Sequence, residues 1–289
     1  MSPLEGTIPA LLTPFEPAGG EVDFGLLDAH LDWLRERGVR AVSPMGTTGE
    51  GASLSVEERK QVIRRLAGCL DMAQVPGTCC TNLPETIELT RFAVEEGVLA
   101  ALVAPPTYYV PEASGVTEYY SRLLAALPDA ARIVLYHIPR QTRVAIEVET
   151  IHALVESFGP KVAGVKDSGR DFDHTVHLIA EFPGLAILNG SDGLAAKAYA
   201  AGGPGVISAT ANVLPDEFEA VRAGDASKQE PIAEVRALVD GLPLHAALKL
   251  VLHLVSGLPR SAVRPPLREL TAEEEQAVEE RLTAVRVRA

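Results

Sequence analysis

The sequence predicts a closed (β/α)8 barrel followed by additional C-terminal helices, and three observations carry that reading. Short β-rich runs alternate with helical patterns, giving eight strand candidates, each followed by a helical stretch, before residue 222. Several runs are continuously apolar, as strands covered on both faces must be. No proline-rich, low-complexity or charge-block linker interrupts the series. A doubly wound open sheet would need edge strands and a nucleotide-type crevice, and no GxGxxG or Walker pattern appears.

The strand candidates are residues 6–12, 41–43, 76–81, 100–104, 132–136, 162–166, 186–189 and 205–208. Between the second and third, residues 55–70 have helical spacing and open with Ser55-Val-Glu-Glu58, a capping-box pattern with Glu58 at the third helical position. Residues 85–95 form the next helix, with Ile87, Leu89, Phe92 and Ala93 on an imperfect apolar face. Gly97, Gly159 and Gly184 stand where helices should stop. Residues 227–286 add apolar helical patterns long enough to cover one side of a barrel or to join subunits. The expected organisation is a barrel over residues 1–222 and a helical extension over 223–289 packed on it.

Composition narrows the function classes. With 47% hydrophobic and 22% charged residues in 289, the chain has ample material for a core. Its net charge of −13 repels phosphate backbones and anionic lipid, which argues against nucleic-acid and membrane partners. No apolar run approaches a membrane span, and the start MSPLEGTIPA lacks the pattern of a secretory leader. Three cysteines, two of them adjacent (Cys79, Cys80), make neither a disulfide framework nor a zinc cage. A soluble cytoplasmic enzyme is the expectation.

Barrel enzymes carry their reacting groups at the C-terminal ends of strands. Strand two ends in Gly46-Thr47-Thr48-Gly49-Glu50, either a cradle for a carboxylate or phosphate or merely a loop with a helix cap. Strand five ends at Tyr136, a phenol that could shuttle protons or simply sit bonded at a rim. Strand six closes an apolar run with Lys166-Asp167-Ser168. A lysine pointing into a barrel loses hydration, which favours the neutral amine that attacks a ketone. The bland alternative is a surface lysine paired with Asp167. An anion cradle, a phenol and a lysine on three strand ends together make what a Schiff-base enzyme needs.

Other groups are weaker. His174 and His177, spaced i, i+3, could bind metal or be solvated helix polarity, with no obvious third ligand. Gly202-Gly203-Pro204-Gly205 precedes strand eight as a phosphate grip or a turn. His245 and His253 lie in an apolar helix as packing or interface groups. No metal or cofactor is called for.

Taken in order, Thr13-Pro14-Phe15, Gly46 to Glu50, Thr107-Tyr108-Tyr109, Tyr136-His137-Ile138-Pro139, Gly164-Val165-Lys166-Asp167-Ser168, Gly190-Ser191-Asp192 and Gly205-Val206-Ile207-Ser208 resemble the dihydrodipicolinate synthase / N-acetylneuraminate lyase family. The similarity spans roughly residues 6–270. It implies a TIM barrel, usually a homotetramer, acting as a class I pyruvate-dependent aldolase or condensing enzyme. By that resemblance Lys166 forms the Schiff base and Tyr136 is the general acid/base. Thr47 and Thr48 hold the pyruvate carboxylate, with Thr47 also in a proton relay. Tyr109 matches the relay tyrosine donated across a subunit interface, and Ile207 offers a backbone carbonyl. Gly46, Arg140, Ser168, Gly190 and Asp192 complete the expected substrate-binding set.

The sequence departs from the family pattern twice. His137 replaces the asparagine of its YNxP motif. Gln141 stands five residues after the tyrosine, where the synthases carry the arginine that grips aspartate semialdehyde; the arginine here is Arg140. Ser168 and Asp192 match hydroxyl-binding positions of the sugar-acid aldolases. The expected partners are therefore pyruvate and an aldehyde that together form a 2-oxo-3-deoxy sugar acid or another 4-hydroxy-2-oxo acid. The alternative is 4-hydroxy-tetrahydrodipicolinate synthase.

Overall fold

The computed structural model describes residues 4–68 and 72–286. The first half runs β1 (Gly6–Pro9), α1 (Phe24–Glu36), β2 (Ala41–Val42), α2 (Val56–Ala67), β3 (Ala73–Gln74), α3 (Leu83–Glu95), β4 (Ala101–Val103) and α4 (Ala113–Ala126). It continues with β5 (Ile133–His137), the single turn α5 (Pro139–Thr142), α6 (Val148–Phe158), β6 (Val162–Asp167), α7 (Phe172–Glu181) and β7 (Ala186–Asn189). Then follow α8 (Ala195–Ala200), β8 (Gly205–Ser208), α9 (Pro215–Arg222), α10 (Gln229–Val239), α11 (Leu244–Ser256) and α12 (Ala272–Arg286).

All strand pairs are parallel, in the order β1-β8-β7-β6-β5-β4, with β2 and β3 paired separately. Backbone bonds close the circle. Ser43 N–H donates to Pro9 O at 2.8 Å and Leu11 N–H to Ser43 O at 2.9 Å, joining β1 to β2. Leu99 N–H donates to Gln74 O at 3.1 Å and Leu102 N–H to Pro76 O at 2.8 Å, joining β3 to β4.

The third strand is displaced from its expected place, residues 76–81, to Ala73–Gln74. Toward β2, Pro44 has no amide to give Val75 O, which accepts from Ser43 Oγ at 2.8 Å instead. Toward β4, Pro76 has none to give, so regular pairing is short on both sides. Extended backbone nevertheless continues: Gly77 N–H reaches Pro44 O at 2.8 Å, and Thr78 N–H reaches Leu102 O at 3.1 Å. The capping box at Ser55 is present, with Ser55 N–H on the Glu58 carboxylate at 2.8 Å and Glu58 N–H on Ser55 Oγ at 3.2 Å. The helix it opens is described to Ala67, and Leu70, in the expected span, lies outside the described residues. Asn82 caps α3 through Glu85 N–H at 2.9 Å with Pro84 in its first turn, so that helix starts two residues before the expected 85.

Inward-facing Ile8, Val75, Leu102, Val134, Leu188 and Ile207 fill the barrel interior, with Tyr136 above them. Larger apolar clusters lie between strands and helices. In α11 every residue from Ala246 to Leu252 is buried, packing with Leu12, Val213, Val235 and Leu238 over the barrel's end. A helix apolar around its circumference must be covered on all sides, and α10 and α12 supply that cover. Among the described residues, no helix is long and apolar enough to cross a membrane.

Candidate active site

Side chains alternate along a strand, so the inner and outer faces of β5 and β6 do different things. The two strands pair Tyr136 with Lys166 and His137 with Asp167. Tyr136 and Lys166 face a cavity at the strand ends; His137 and Asp167 face the helix layer, where they meet α7. Lys166 is 4% exposed, and its Nζ lies 4.3 Å from the Tyr136 ring centroid. It is not the surface lysine of the alternative reading, and Asp167 is not its partner. Thr47 Oγ1 stands 3.4 Å from the Tyr136 hydroxyl, a loose contact beside the phenol.

Thr47, Thr48, Ser168, Gly190 and Ile207 line the same cavity, as do Arg140 and Gln141, both carried by the single turn α5. Of the expected set, Gly46 is not on its wall; its carbonyl accepts the Gly51 N–H at 3.1 Å and shapes the loop from behind. Nor is Tyr109, which is 76% exposed on the loop after β4 and stacks edge-on with Tyr108 at 5.3 Å. Asp192 is on the wall but already engaged: it accepts from Ser208 Oγ at 2.5 Å and pairs with Arg236 at 3.3 Å. Ser168 also lines the cavity, and its buried Oγ has no hydrogen-bond partner among the described residues. A Cβ built on Gly190 would sit 2.0 Å from that oxygen and 3.1 Å from Lys166 Cε, so any larger residue there must displace its neighbours.

The cavity, about 90 Å³, shares Gly190, Asp192, Arg170 and Arg236 with a second one of about 280 Å³ that leads outward past Asp240. Arg236 on α10 and Arg170 after β6 had no signal in the sequence, because neither sits on a recognisable motif. Arg236 bridges Asp192 and Asp240, the latter at 2.6 Å.

The Thr47–Glu50 loop is held by distant parts of the chain. Thr13 Oγ1 donates to Gly49 O at 2.7 Å. Glu50 adopts a left-handed φ of 53°, uncommon for a residue with a side chain, and its buried carboxylate receives Lys249 Nζ at 2.6 Å and Arg264 N–H at 3.1 Å. Burial pushes the Lys249 ammonium pKa down despite the Glu50 charge. His245 lies within 2.9 Å of Thr47 O through Nε2.

Behind the lysine, Asp167 accepts from Thr175 Oγ1 at 2.7 Å, Gly169 N–H at 3.0 Å and His174 Nδ1 at 3.0 Å. Burial pushes its pKa up, but these hydrogen bonds outweigh that and hold it below the ordinary carboxylate value. The hydrogen bond to Asp167 raises His174, against partial burial. His137 stacks on His174 at 4.7 Å, and burial lowers its pKa. Thus His174 is not solvated helix polarity, whereas His177 is exposed and apart from it. His137, Asp167 and His174 bring three ligand-type atoms within 4.8 Å. His137 Nδ1 accepts the Ile146 N–H at 3.2 Å, however, so in the neutral ring Nε2 carries the proton and is closed to a metal.

The family model of the dihydrodipicolinate synthetase family matches residues 3–285. An uncharacterized DapA-like lyase of Chloroflexus aurantiacus is 40% identical over 286 residues, which cover 96% of each chain. A 4-hydroxy-tetrahydrodipicolinate synthase of Sorangium cellulosum is 36% identical over 277 residues, 92% of this chain and 90% of the relative. Among solved structures, YagE of E. coli K12, of the dihydrodipicolinic acid synthase family and in complex with pyruvate, superposes with a TM-score of 0.90 at 26% identity, covering 98% of both chains.

Proposed function

This chain belongs to the dihydrodipicolinate synthetase family of lyases, aldolases and synthases, and from that premise we propose that it joins pyruvate reversibly to an aldehyde through a Schiff base on Lys166. The observation that carries this reading is a buried lysine against the Tyr136 ring, in a cavity closed by the hydroxyls of Thr47 and Thr48. The Lys166 amine attacks the C2 ketone and water leaves, giving an iminium. The Tyr136 phenol gives its proton to the departing hydroxyl and its phenolate takes one back from C3, which places the electron pair in an enamine whose C3 bonds to the aldehyde carbon. The aldehyde oxygen takes a proton from the Tyr136 phenol, and hydrolysis frees the lysine and a 4-hydroxy-2-oxo acid.

For the aldehyde, the unpartnered Ser168 hydroxyl and the outward cavity support a hydroxylated chain, hence a 2-oxo-3-deoxy sugar acid or a related 4-hydroxy-2-oxo acid. Asp192 shapes that wall through Arg236 rather than offering a free carboxylate. A second reading, condensation with aspartate semialdehyde, draws on Arg140, which lines the cavity one residue before the position expected in a synthase. The exposed Tyr108, Tyr109 and Val110 support assembly with further copies of the chain, in a homotetramer where Tyr109 serves a neighbour's site.

Borohydride added with pyruvate should inactivate the enzyme and leave a reduced pyruvyl mass on Lys166; an adduct elsewhere, or none on active enzyme, overturns the mechanism. Comparing kcat/KM for pyruvate with glyceraldehyde and with aspartate semialdehyde decides the partner. Preference for the semialdehyde, lost in Arg140→Ala, would establish the second reading.

A further inference from the structure

Two side chains one turn apart on α11, His245 and Lys249, reach the two ends of the same catalytic loop. His245 Nε2 lies 2.9 Å from Thr47 O, and Lys249 Nζ lies 2.6 Å from Glu50 Oε1. Spacing of i, i+4 puts both on one face of the helix. Between their targets, Glu50 N–H donates to Thr47 O at 3.2 Å, so the loop is bonded into a single turn gripped at both ends. Glu50, not a glycine, holds a left-handed φ of 53° in that turn, and Met45 just before it one of 58°, a backbone cost that outside contacts offset.

We infer that α11 acts as a clamp on the carboxylate-binding loop, and that His245 is a positioning residue for Thr47. A carbonyl can only accept, so Nε2 carries the hydrogen, and it does so in both the neutral and the cationic ring. The consequence lies one residue away in space. Thr47 Oγ1 is 3.4 Å from the Tyr136 hydroxyl, at the outer limit of a useful hydrogen bond, so a small displacement of the Thr47 backbone makes or breaks that contact. Lys249 is buried and carries the loop's stability, whereas His245 is only partly covered, and losing it leaves no buried charge behind. The inference rests on the pyruvate reading above.

The experiment titrates pyruvate in borohydride trapping for the wild type, His245→Ala and His245→Gln, with melting temperatures alongside. His245→Ala should raise the half-saturating pyruvate concentration roughly 2- to 12-fold, the range for one lost hydrogen bond. Its KM for the aldehyde should stay within about twofold, and its melting temperature should not move. His245→Gln, whose amide can donate to the same carbonyl, should recover most of the loss. A wild type that traps pyruvate at Lys166 beside an unaffected His245→Ala overturns the clamp, as does a glutamine variant no better than alanine. A wild type that never traps pyruvate overturns the pyruvate reading itself, and the inference with it.

Discussion

Replacing Gly190 by alanine tests the geometry of the lysine pocket directly. The backbone there is not left-handed, so any effect is steric rather than conformational. Gly190 N–H is bonded to Asp167 O at 2.7 Å, which pins the glycine against β6. The new methyl would stand 2.0 Å from Ser168 Oγ and 3.1 Å from both Asp167 O and Lys166 Cε. Ser168 can rotate away, since its hydroxyl has no protein partner. The other two contacts, to backbone and to Lys166, require a neighbour to give by a few tenths of an ångström. Overpacking of this kind costs about 1–3 kcal/mol, or roughly 2–12 °C in Tm for a chain of this size. A shift of a few tenths of an ångström at Lys166 Cε should lower kcat/KM by less than the roughly 100-fold that a misplacement of about 1 Å costs. Melting curves and borohydride trapping on the wild type, Gly190→Ala, Ser168→Ala and the double variant form a complete cycle. Ser168→Ala removes the shortest contact, so the double variant should be more stable than additivity predicts by about 0.5–3 kcal/mol. Strict additivity, or wild-type trapping by Gly190→Ala, would refute the close packing of Gly190 on the lysine.

Three further outcomes are expected. Tyr136→Phe should keep its fold and lose on the order of 10²–10⁴ in kcat, as for a missing acid/base; near-wild-type turnover with chemistry rate-limiting assigns the proton elsewhere. His174 has a folded pKa raised above 6.5 by its bond to Asp167, so its stabilising effect is complete below about 6.5 and is lost as pH climbs through the folded value. The Tm difference between wild type and His174→Gln should therefore be largest in mild acid and shrink in base; the opposite slope contradicts the ion pair. Lys249→Met strands the Glu50 carboxylate in the core and should cost about 3–5 kcal/mol in denaturant unfolding, while adding Glu50→Gln should recover part of it.

Whatever depends on near neighbours along the chain is readable from the residues alone. Strand and helix alternate because apolar periodicity is a local property, and the box at Ser55 forms because its partner, Glu58, is three residues away. Lys166 and Tyr136 were legible as candidates because they stand at strand ends, and Thr47 and Thr48 because they lie in the loop that follows one, and a barrel brings those places together. Pro44 and Pro76, which cut short the third strand's pairing, were visible as well, but their effect depended on which neighbouring strand each missing amide would have faced. The side-chain partners depend instead on how distant parts of the chain fold back on one another. Arg236 reaches Asp192 across 44 residues, His245 reaches Thr47 across 198, and Lys249 reaches Glu50 across 199. Those contacts exist because α10 and α11 fold back over the barrel's end under the pull of their apolar faces. That burial is non-directional, and it leaves no spacing in the sequence by which to read which polar groups it will bring face to face.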